Sequence, residues 1–428
     1  MLTYLTRRFL PPIEADEWRP LLLAFAWFFC VLLSYYLIRP VRETLGSVLG
    51  RNELLPLFTA TFTVMVLANP IYSFLIAKLP RRVLALIVYA FFALCLFVFW
   101  LFMNTTISTW TARAFFVWVS VFNLFAVSLF WSFLADTFSS EQAKRLFGFV
   151  AAGGTLGGLT GSFLAQELVG RVGMAQLLLV PIGAIGVVAI LMLCFDRAAR
   201  QMKAKTEVAV SDEDQPTGGT FWEGITHVMQ SPYLIGICGA LILAKLCGTT
   251  GYFQQTEIVS ETLADNEMRI RLFARMNIAV QVVTIILQTL FVGRLMRWWG
   301  LSAVLCILPL TYAASFLGLG MTSTLAMLVI GRVAQRGMAY GLMVPAQETL
   351  FTVVSREDKY KSKGFIDTAI ARGGDVLASL INDWLFRLGL ALPAVAFGMI
   401  PATLVWCGIS WWLGRQQALR AKYFEAKG

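Results

Sequence analysis

Histidine occurs once in this 428-residue chain, at His227, and charged residues make up only 14% of it. A lone imidazole far from any paired serine and aspartate cannot complete a hydrolytic triad, which excludes that class of enzyme. The seven cysteines, Cys30, Cys95, Cys194, Cys238, Cys247, Cys306 and Cys407, all lie in apolar runs, and no Cys-x-x-Cys pair is present. A metal centre and a disulfide framework are therefore both excluded. The glycine run from Gly153 to Gly161 is not followed by Gly-Lys-Ser/Thr, so there is no phosphate loop and no ATP-driven pump. No catalytic residue, metal or cofactor is expected.

What the chain does have is apolar length. Its residues are 58% hydrophobic, with a mean hydropathy of +0.71, whereas soluble domains are near one quarter charged. Runs of roughly 20 residues, long enough to cross about 30 Å of hydrocarbon, recur from end to end. About twelve are predicted. The first half holds Leu21–Ile38, Leu54–Ala77, Val83–Met103, Ala114–Phe138, Leu146–Leu168 and Met174–Phe195. The second holds Tyr233–Val259, Phe273–Leu295, Leu301–Met321, Leu325–Val354, Gly364–Leu388 and Leu390–Leu413. The expected fold is an all-α membrane protein of two pseudo-symmetric six-helix bundles, over residues 1–195 and 233–428. Residues 196–232 form a cytoplasmic linker, whose end, Phe221-Trp222-x2-Ile225-x2-Val228-Met229, suits a helix lying on the inner leaflet.

Lysine and arginine set the orientation, because cytoplasmic loops carry their excess. With the N-terminus inside, 22 of the 35 fall on the inner side and nine on the outer. Both termini are expected in the cytoplasm and the protein in the inner (plasma) membrane. The net charge of +10 then reflects topology and contact with anionic lipid, not a nucleic-acid surface. The segment Met1–Pro20 carries charge on both sides of Pro11-Pro12 and no small-residue cleavage site follows a short apolar core, so the first helix is expected to stay in place.

The two halves repeat. Ser139-x-Glu141-x6-Gly148-Phe149-x7-Gly157-Gly158 returns 216 positions later as Ser355-x-Glu357-x6-Gly364-Phe365-x7-Gly373-Gly374. Both copies run on to Arg-x-Gly-x-Ala, at Arg171–Ala175 and Arg387–Ala391, with ten identities in 37 positions. Parallel repeats in a membrane point to one transporter architecture above others. Glycines four apart, as in Gly153-x3-Gly157-x3-Gly161, predict close helix packing. The copies differ in charge, since Ala151, Leu156 and Leu159 in the first correspond to Asp367, Arg372 and Asp375 in the second.

An ionised side chain at mid-bilayer is unfavourable by about 2.5–3.5 kcal/mol, so charges within spans face a wet cavity or each other. Arg39 and Arg42 lie three apart at the end of helix one, beside Pro40 and Glu43, and suit an anion; the alternative is that they snorkel to outer headgroups. Lys245, deep in helix seven, either lines a cavity or pairs with an acid on a neighbour. Helix ten carries Arg332, Arg336 and Glu348, with the same two readings. Arg372 and Asp375, three apart in helix eleven, could pair internally. Asp136 ends helix four just before Ser139, where it could simply organise the loop.

These residues resemble the nucleotide transporters of plastids and intracellular bacteria, the ATP:ADP antiporter family, distant relatives of the major facilitator superfamily. Arg39-Pro40-Val41-Arg42-Glu43-Thr44-Leu45 is similar to that family's first-helix motif. Phe130-Trp131-x-Phe133-x-Ala135-Asp136 and Glu141-x-Ala143-Lys144-Arg145 resemble its corner between helices four and five, and Lys361-x-Lys363-x2-Ile366-Asp367-x3-Ala371-Arg372-x-Gly374 resembles its helix eleven. The resemblance implies nucleotide exchange. Departures at Gln347-Glu348, Asp375 and Gln254-Gln255-x-Glu257 leave fewer positive groups and allow a smaller or less charged organic anion. The expected mechanism is alternating access around a site near the midplane between helices one, four, seven and ten, with Arg39, Arg42, Lys245 and Arg336 holding the solute. Glu43, Asp136, Glu348, Asp367, Arg372 and Asp375 are expected to gate or couple, by changing partners or carrying a proton. Two alternatives stand beside this: a proton-coupled carrier of another small organic solute, and a membrane scaffold or sensor that does not transport.

Overall fold

The computed structural model describes residues 14, 16–105, 107–205, 228–354 and 366–425, and every regular element among them is helical. In chain order the long helices are α1 (Trp18–Leu49), α2 (Leu54–Lys78), α3 (Arg81–Met103), α4 (Thr109–Thr137), α5 (Ser140–Gln176) and α6 (Leu179–Lys205). They continue with α7 (Pro232–Thr262), α8 (Asn266–Ile286), α9 (Val292–Met321), α10 (Leu325–Met338), the short α11 (Val344–Leu350), α12 (Ala371–Arg387) and α13 (Leu392–Glu425). Among the described residues, eight helical stretches are long and apolar enough to cross a membrane. Large apolar side chains such as Phe91, Leu94, Ile190 and Leu404 are more than half exposed, as a hydrocarbon solvent requires and water would not favour. Of the expected linker, residues 196–205 continue α6 beyond the predicted end at Phe195 and residues 228–232 are described, so nearly all of the expected surface helix and His227 lie outside the described residues.

Polar caps fix where helices begin. Ser108, Ser231 and Thr324 each accept a hydrogen bond from the backbone N–H three residues on. Ser139 forms a full capping box with Gln142, whose side chain returns to the Ser139 N–H. Gln142 and Arg145 also donate to Glu17 Oε1, at 2.8 and 2.6 Å, tying the start of α5 to the start of α1. Asp136 is exposed just upstream, at the end of α4.

The repeat has a backbone cause at its end. Gly173 and Gly389 have φ of 80° and 79°, a left-handed conformation costly for any residue with a Cβ, and each breaks its helix at the matching point of the Arg-x-Gly-x-Ala segment.

By contact the chain divides into two compact units. The first comprises Met1–Leu49, Thr63–Asp212 and Asp265–Ile278, and the second Gly50–Phe62, Glu213–Ala264 and Ala279–Gly428. The first is built on α1 and α5. A Cβ added at Gly153, Gly157 or Gly161 would lie 2.7, 2.1 and 2.4 Å from the carbonyl oxygens of Phe25, Phe29 and Leu33. Two matched ladders of four-residue spacing therefore bring backbone against backbone, the geometry in which Cα–H···O contacts recur. Beside them, buried Trp27 donates from Nε1 to the Tyr89 hydroxyl at 3.1 Å and packs edge-on against Phe130, Phe133 and Phe195. In the second unit α9 and α13 close around Tyr312 and Trp406, whose rings are 5.7 Å apart.

The second half departs from the expected regular spans. Residues 266–321 hold a π turn at Leu287–Phe291 and a break at Gly300, whose φ is 75° and which falls between the two expected spans, Phe273–Leu295 and Leu301–Met321. The tenth span is likewise interrupted, by a π turn at Ala339–Met343, before Pro345. Pro345 offers no N–H to the Gly341 carbonyl, and the helix widens in the preceding turn. The two π turns are joined by Gln288 Nε2, which donates to the Tyr340 carbonyl at 3.0 Å. Helix twelve of this series also opens on a π turn, Ile366–Ile370.

The glycine ladder makes a direct prediction. Gly157→Val drives a side chain into the Phe29 backbone and destabilises the first unit by about 3 kcal/mol, so the expressed variant should lose its monodisperse peak in size-exclusion chromatography. Gly148→Ala, where a Cβ meets nothing within 4 Å, should keep it.

Candidate functional site

Charges buried in apolar helices are the candidates, and each unit assembles its own. In the first, Arg39, Arg42 and Glu43 occupy the last third of α1, which continues helically through Pro40. Arg42 Nη1 reaches Glu43 Oε1 at 3.1 Å, and Arg39 Nε approaches the same oxygen at 3.8 Å. One carboxylate is thus shared by two guanidiniums. Arg42 also donates from Nε to the Phe116 carbonyl, with its guanidinium 3.8 Å above the Phe116 ring, and Arg39 lies over Tyr35 and Tyr36. Both guanidiniums are thus held against Glu43, which is only 6% exposed.

The second unit has an equivalent set from two helices. Lys245 Nζ on α7 lies 3.2 Å from both oxygens of Asp375 on α12, and Arg372 Nη1 lies 3.7 Å from Oδ2. Again one carboxylate is bridged by two cations. The pair expected within helix eleven is present, but Lys245 is the nearer partner, as the reading of Lys245 as half of an ion pair anticipates. Gly374 makes room, since a Cβ there would lie 3.3 Å from the Lys245 Cβ and 3.2 Å from its Cγ. Asp367 falls in the π turn that precedes α12.

Helix α10 contributes Arg332 and, one turn on, half-buried Arg336, just before the π turn at Ala339–Met343. Arg332 donates from Nε to Gln255 Oε1 at 3.1 Å and from Nη1 to Gln335 Oε1 at 3.2 Å and the Gly248 carbonyl at 3.5 Å. Glu348, on α11, is exposed. Asn382 of α12 donates to Thr250 Oγ1 at 2.9 Å.

Sequence reasoning looked for charge, so it named Gln255 only as a departure from the family motif and passed over Gln335 and Asn382. It also missed Arg51, which closes on Glu257 Oε1 at 2.8 Å, with its guanidinium 4.6 Å from the centre of the Phe386 ring. Arg51, Asn52, Asp383, Phe386 and Arg387 line a cavity of about 420 Å³ in the second unit. Their distance in sequence hid them. Glu17, the buried acceptor of Arg145 and Gln142, was hidden likewise, because nothing in its neighbourhood signals a partner more than 120 residues away.

The shared carboxylate predicts unequal consequences. Asp375→Asn leaves Lys245 and Arg372 facing each other without an anion, whereas Lys245→Gln leaves Asp375 beside Arg372. Thermal unfolding in detergent should show a larger drop in Tm for Asp375→Asn, and the double variant should lose less than the sum of the two.

Comparison with known proteins agrees with the fold and with part of the resemblance. The family model described as Major Facilitator Superfamily matches residues 23–262. The ADP,ATP carrier protein 2 of Chlamydia pneumoniae is 24% identical over 220 residues, or 46% of this chain, and the match spans only 41% of that relative's length. Among solved structures, a variant of the nucleoside transporter NupG aligns with a TM-score of 0.58 and 13% identity, covering 93% of this chain and 99% of that one. The POT family transporter PepTSo aligns with a TM-score of 0.59 and 11% identity, over 97% of this chain and 100% of the other. At these identities the structural likeness is one of fold. Since the family model spans more than half of the sequence, this chain belongs to the Major Facilitator Superfamily.

Proposed function

We propose that this membrane transporter is a secondary carrier with twelve spans in two six-helix bundles, residues 1–195 and 233–428, moving an anionic solute by alternating access. Nucleotide exchange of the ATP/ADP type is the favoured cargo. One observation carries the reading: in each unit a carboxylate is bridged by two cations, Glu43 by Arg39 and Arg42, and Asp375 by Lys245 and Arg372. Such a carboxylate occupies the place that a phosphate or carboxylate of the solute would take. Arrival of the solute lets the cations change partners, and the exchange supplies the differential binding that a conformational change requires.

The partial likeness to an ADP,ATP carrier supports a nucleotide, and the resemblance of the first-helix motif adds to it. Lys245 and Arg372 less Asp375 leave one positive charge, which suits a lightly charged anion better than a triphosphate. Arg336 would join the solute-binding cations, with Glu348, Asp367 and Asp136 as gating groups. The lysine and arginine asymmetry supports cytoplasmic termini in the plasma membrane. Asp375 also favours a second reading, a proton-coupled carrier of another organic solute, because a carboxylate deserted by its cations can take up a proton.

Reconstitution tests both. In liposomes loaded with ADP, labelled ATP should enter by exchange without a proton gradient, and Arg42→Ala and Lys245→Ala should each reduce uptake at least about tenfold, the loss expected for a charge-assisted contact. Uptake that survives both substitutions would overturn the residue assignment. Uptake that needs an imposed proton gradient would favour the second reading.

A further inference from the structure

Arg332 differs in kind from the cations already described. It is 8% exposed, within helices that the composition places in hydrocarbon, where a guanidinium ordinarily has a carboxylate beside it. Lys245 and Arg372 share one. The hydrogen-bond partners of Arg332 are instead the Gln255 and Gln335 side-chain oxygens and the Gly248 carbonyl, all neutral. They orient the group and leave its charge uncancelled. Their bonds run to Nε and Nη1, so Nη2 stands outside the set.

The surroundings are built for this group. A Cβ at Gly251 would lie 2.9 Å from Nη1, so the absence of a side chain there lets the guanidinium lie along α7. Gln335 and Gln255 are 1% and 3% exposed and are spent as acceptors for it. Gln254, the neighbour of Gln255 on α7, is 1% exposed, and neither its Oε1 nor its Nε2 has a hydrogen-bond partner. Burying an amide with donor and acceptor both unmet is unfavourable, and native structures usually give such a group something to hold. A fixed guanidinium with charge to spare, on a polar stretch that also carries an unmet amide, is the chemistry of an oxyanion site.

We infer that Arg332 is the residue of the second unit that takes an oxyanion, phosphate or carboxylate, of the transported solute, with Gln254 contributing a hydrogen bond to it. Lys245, which trades Asp375 for the solute during the cycle, then acts beside this fixed site. The inference rests on the anionic-solute reading and narrows it to a residue. A purely architectural Arg332, serving only to join α7 to α10, is the rival explanation, and the two differ in what a ligand does.

The test is a thermal-shift titration of the purified full chain in detergent, with sodium phosphate and sodium acetate as probes and sodium chloride at matched ionic strength as control. Phosphate, acetate or both should raise Tm of the wild type saturably and above the chloride control, and which of them acts identifies the class of oxyanion. Arg332→Gln should abolish the shift and Gly148→Ala should retain it. Should Arg332→Gln fail to fold, Arg332→Lys keeps the charge without the planar fork, and the half-saturating concentration should rise at least about tenfold. Gln254→Leu should raise it several-fold with Tm of the ligand-free protein unchanged or higher. An unresponsive wild type, or equal shifts in wild type, Arg332→Lys and Gln254→Leu, overturns the inference. The liposome assay fails separately: absence of ATP/ADP exchange removes the nucleotide and leaves the oxyanion site standing on the titration.

Discussion

An ionised group facing lipid is unfavourable by several kcal/mol, and a peptide group without a hydrogen bond fares little better, so a chain this apolar can keep a charge in a helix only by enclosing it. Helices enclose small things only when they come close. In the first unit Gly153, Gly157 and Gly161 remove side chains from one face of α5, and the α1 backbone settles against it. In the second unit the same residue type does different work, as Gly374 admits the stem of Lys245 and Gly251 admits the guanidinium of Arg332. Glycine thus brings backbone to backbone where the repeat is apolar, and backbone to charge where it is not.

That difference explains which features were legible in the sequence. Glycine spacing is a local property of one helix, so the ladder on α5 could be read directly, as could the matched breaks at Gly173 and Gly389. The clustering of charge in the second copy was visible as Asp367, Arg372 and Asp375 standing against alanine and leucines. The partner of Lys245 was not, because it is 130 residues away and α12 with its leading turn offers three acids, Asp367, Asp375 and Asp383. The neutral cradle of Arg332 was further from view. Gln255 and Gln335 have nothing in their immediate sequence to separate them from amides turned to a loop, and only the folded helices make them acceptors. Backbone irregularity was out of view for a related reason: the break at Gly300 falls between two predicted spans, but the π turns at Leu287–Phe291 and Ala339–Met343 leave no mark in hydropathy.

The irregular backbone of the second half lies next to its charges. Arg336 lies three residues before the π turn at Ala339–Met343 begins, and Asp367 sits within the one that leads into α12. A π turn changes the phase of everything beyond it by a fraction of a turn, so its appearance or loss rotates neighbouring side chains without breaking the helix. In the proposed cycle this offers a way for Arg372 and Asp375 to change partners while the apolar face of α12 stays buried. The bond from Gln288 to the Tyr340 carbonyl links the turns of two helices, so that such a change in one would be felt by the other.

In the proposed cycle the two cation sets of the second unit would also divide the labour that a carrier requires. A site that only attracts anions would hold its solute and never release it, and one that is fully compensated would never bind. Lys245 and Arg372, joined to Asp375, have an internal anion to return to, so on the proposed reading their attachment to a solute would be an exchange that costs little in either direction. Arg332, held by amides and a carbonyl, has none among its hydrogen-bond partners and favours an anion throughout. Binding strength and reversibility would then reside on different helices, α10 for the first and the α7–α12 pair for the second. A substitution at Asp375 should on this argument alter the rate of turnover more than the concentration of solute that half-saturates it, because it removes the returning partner and leaves Arg332 in place.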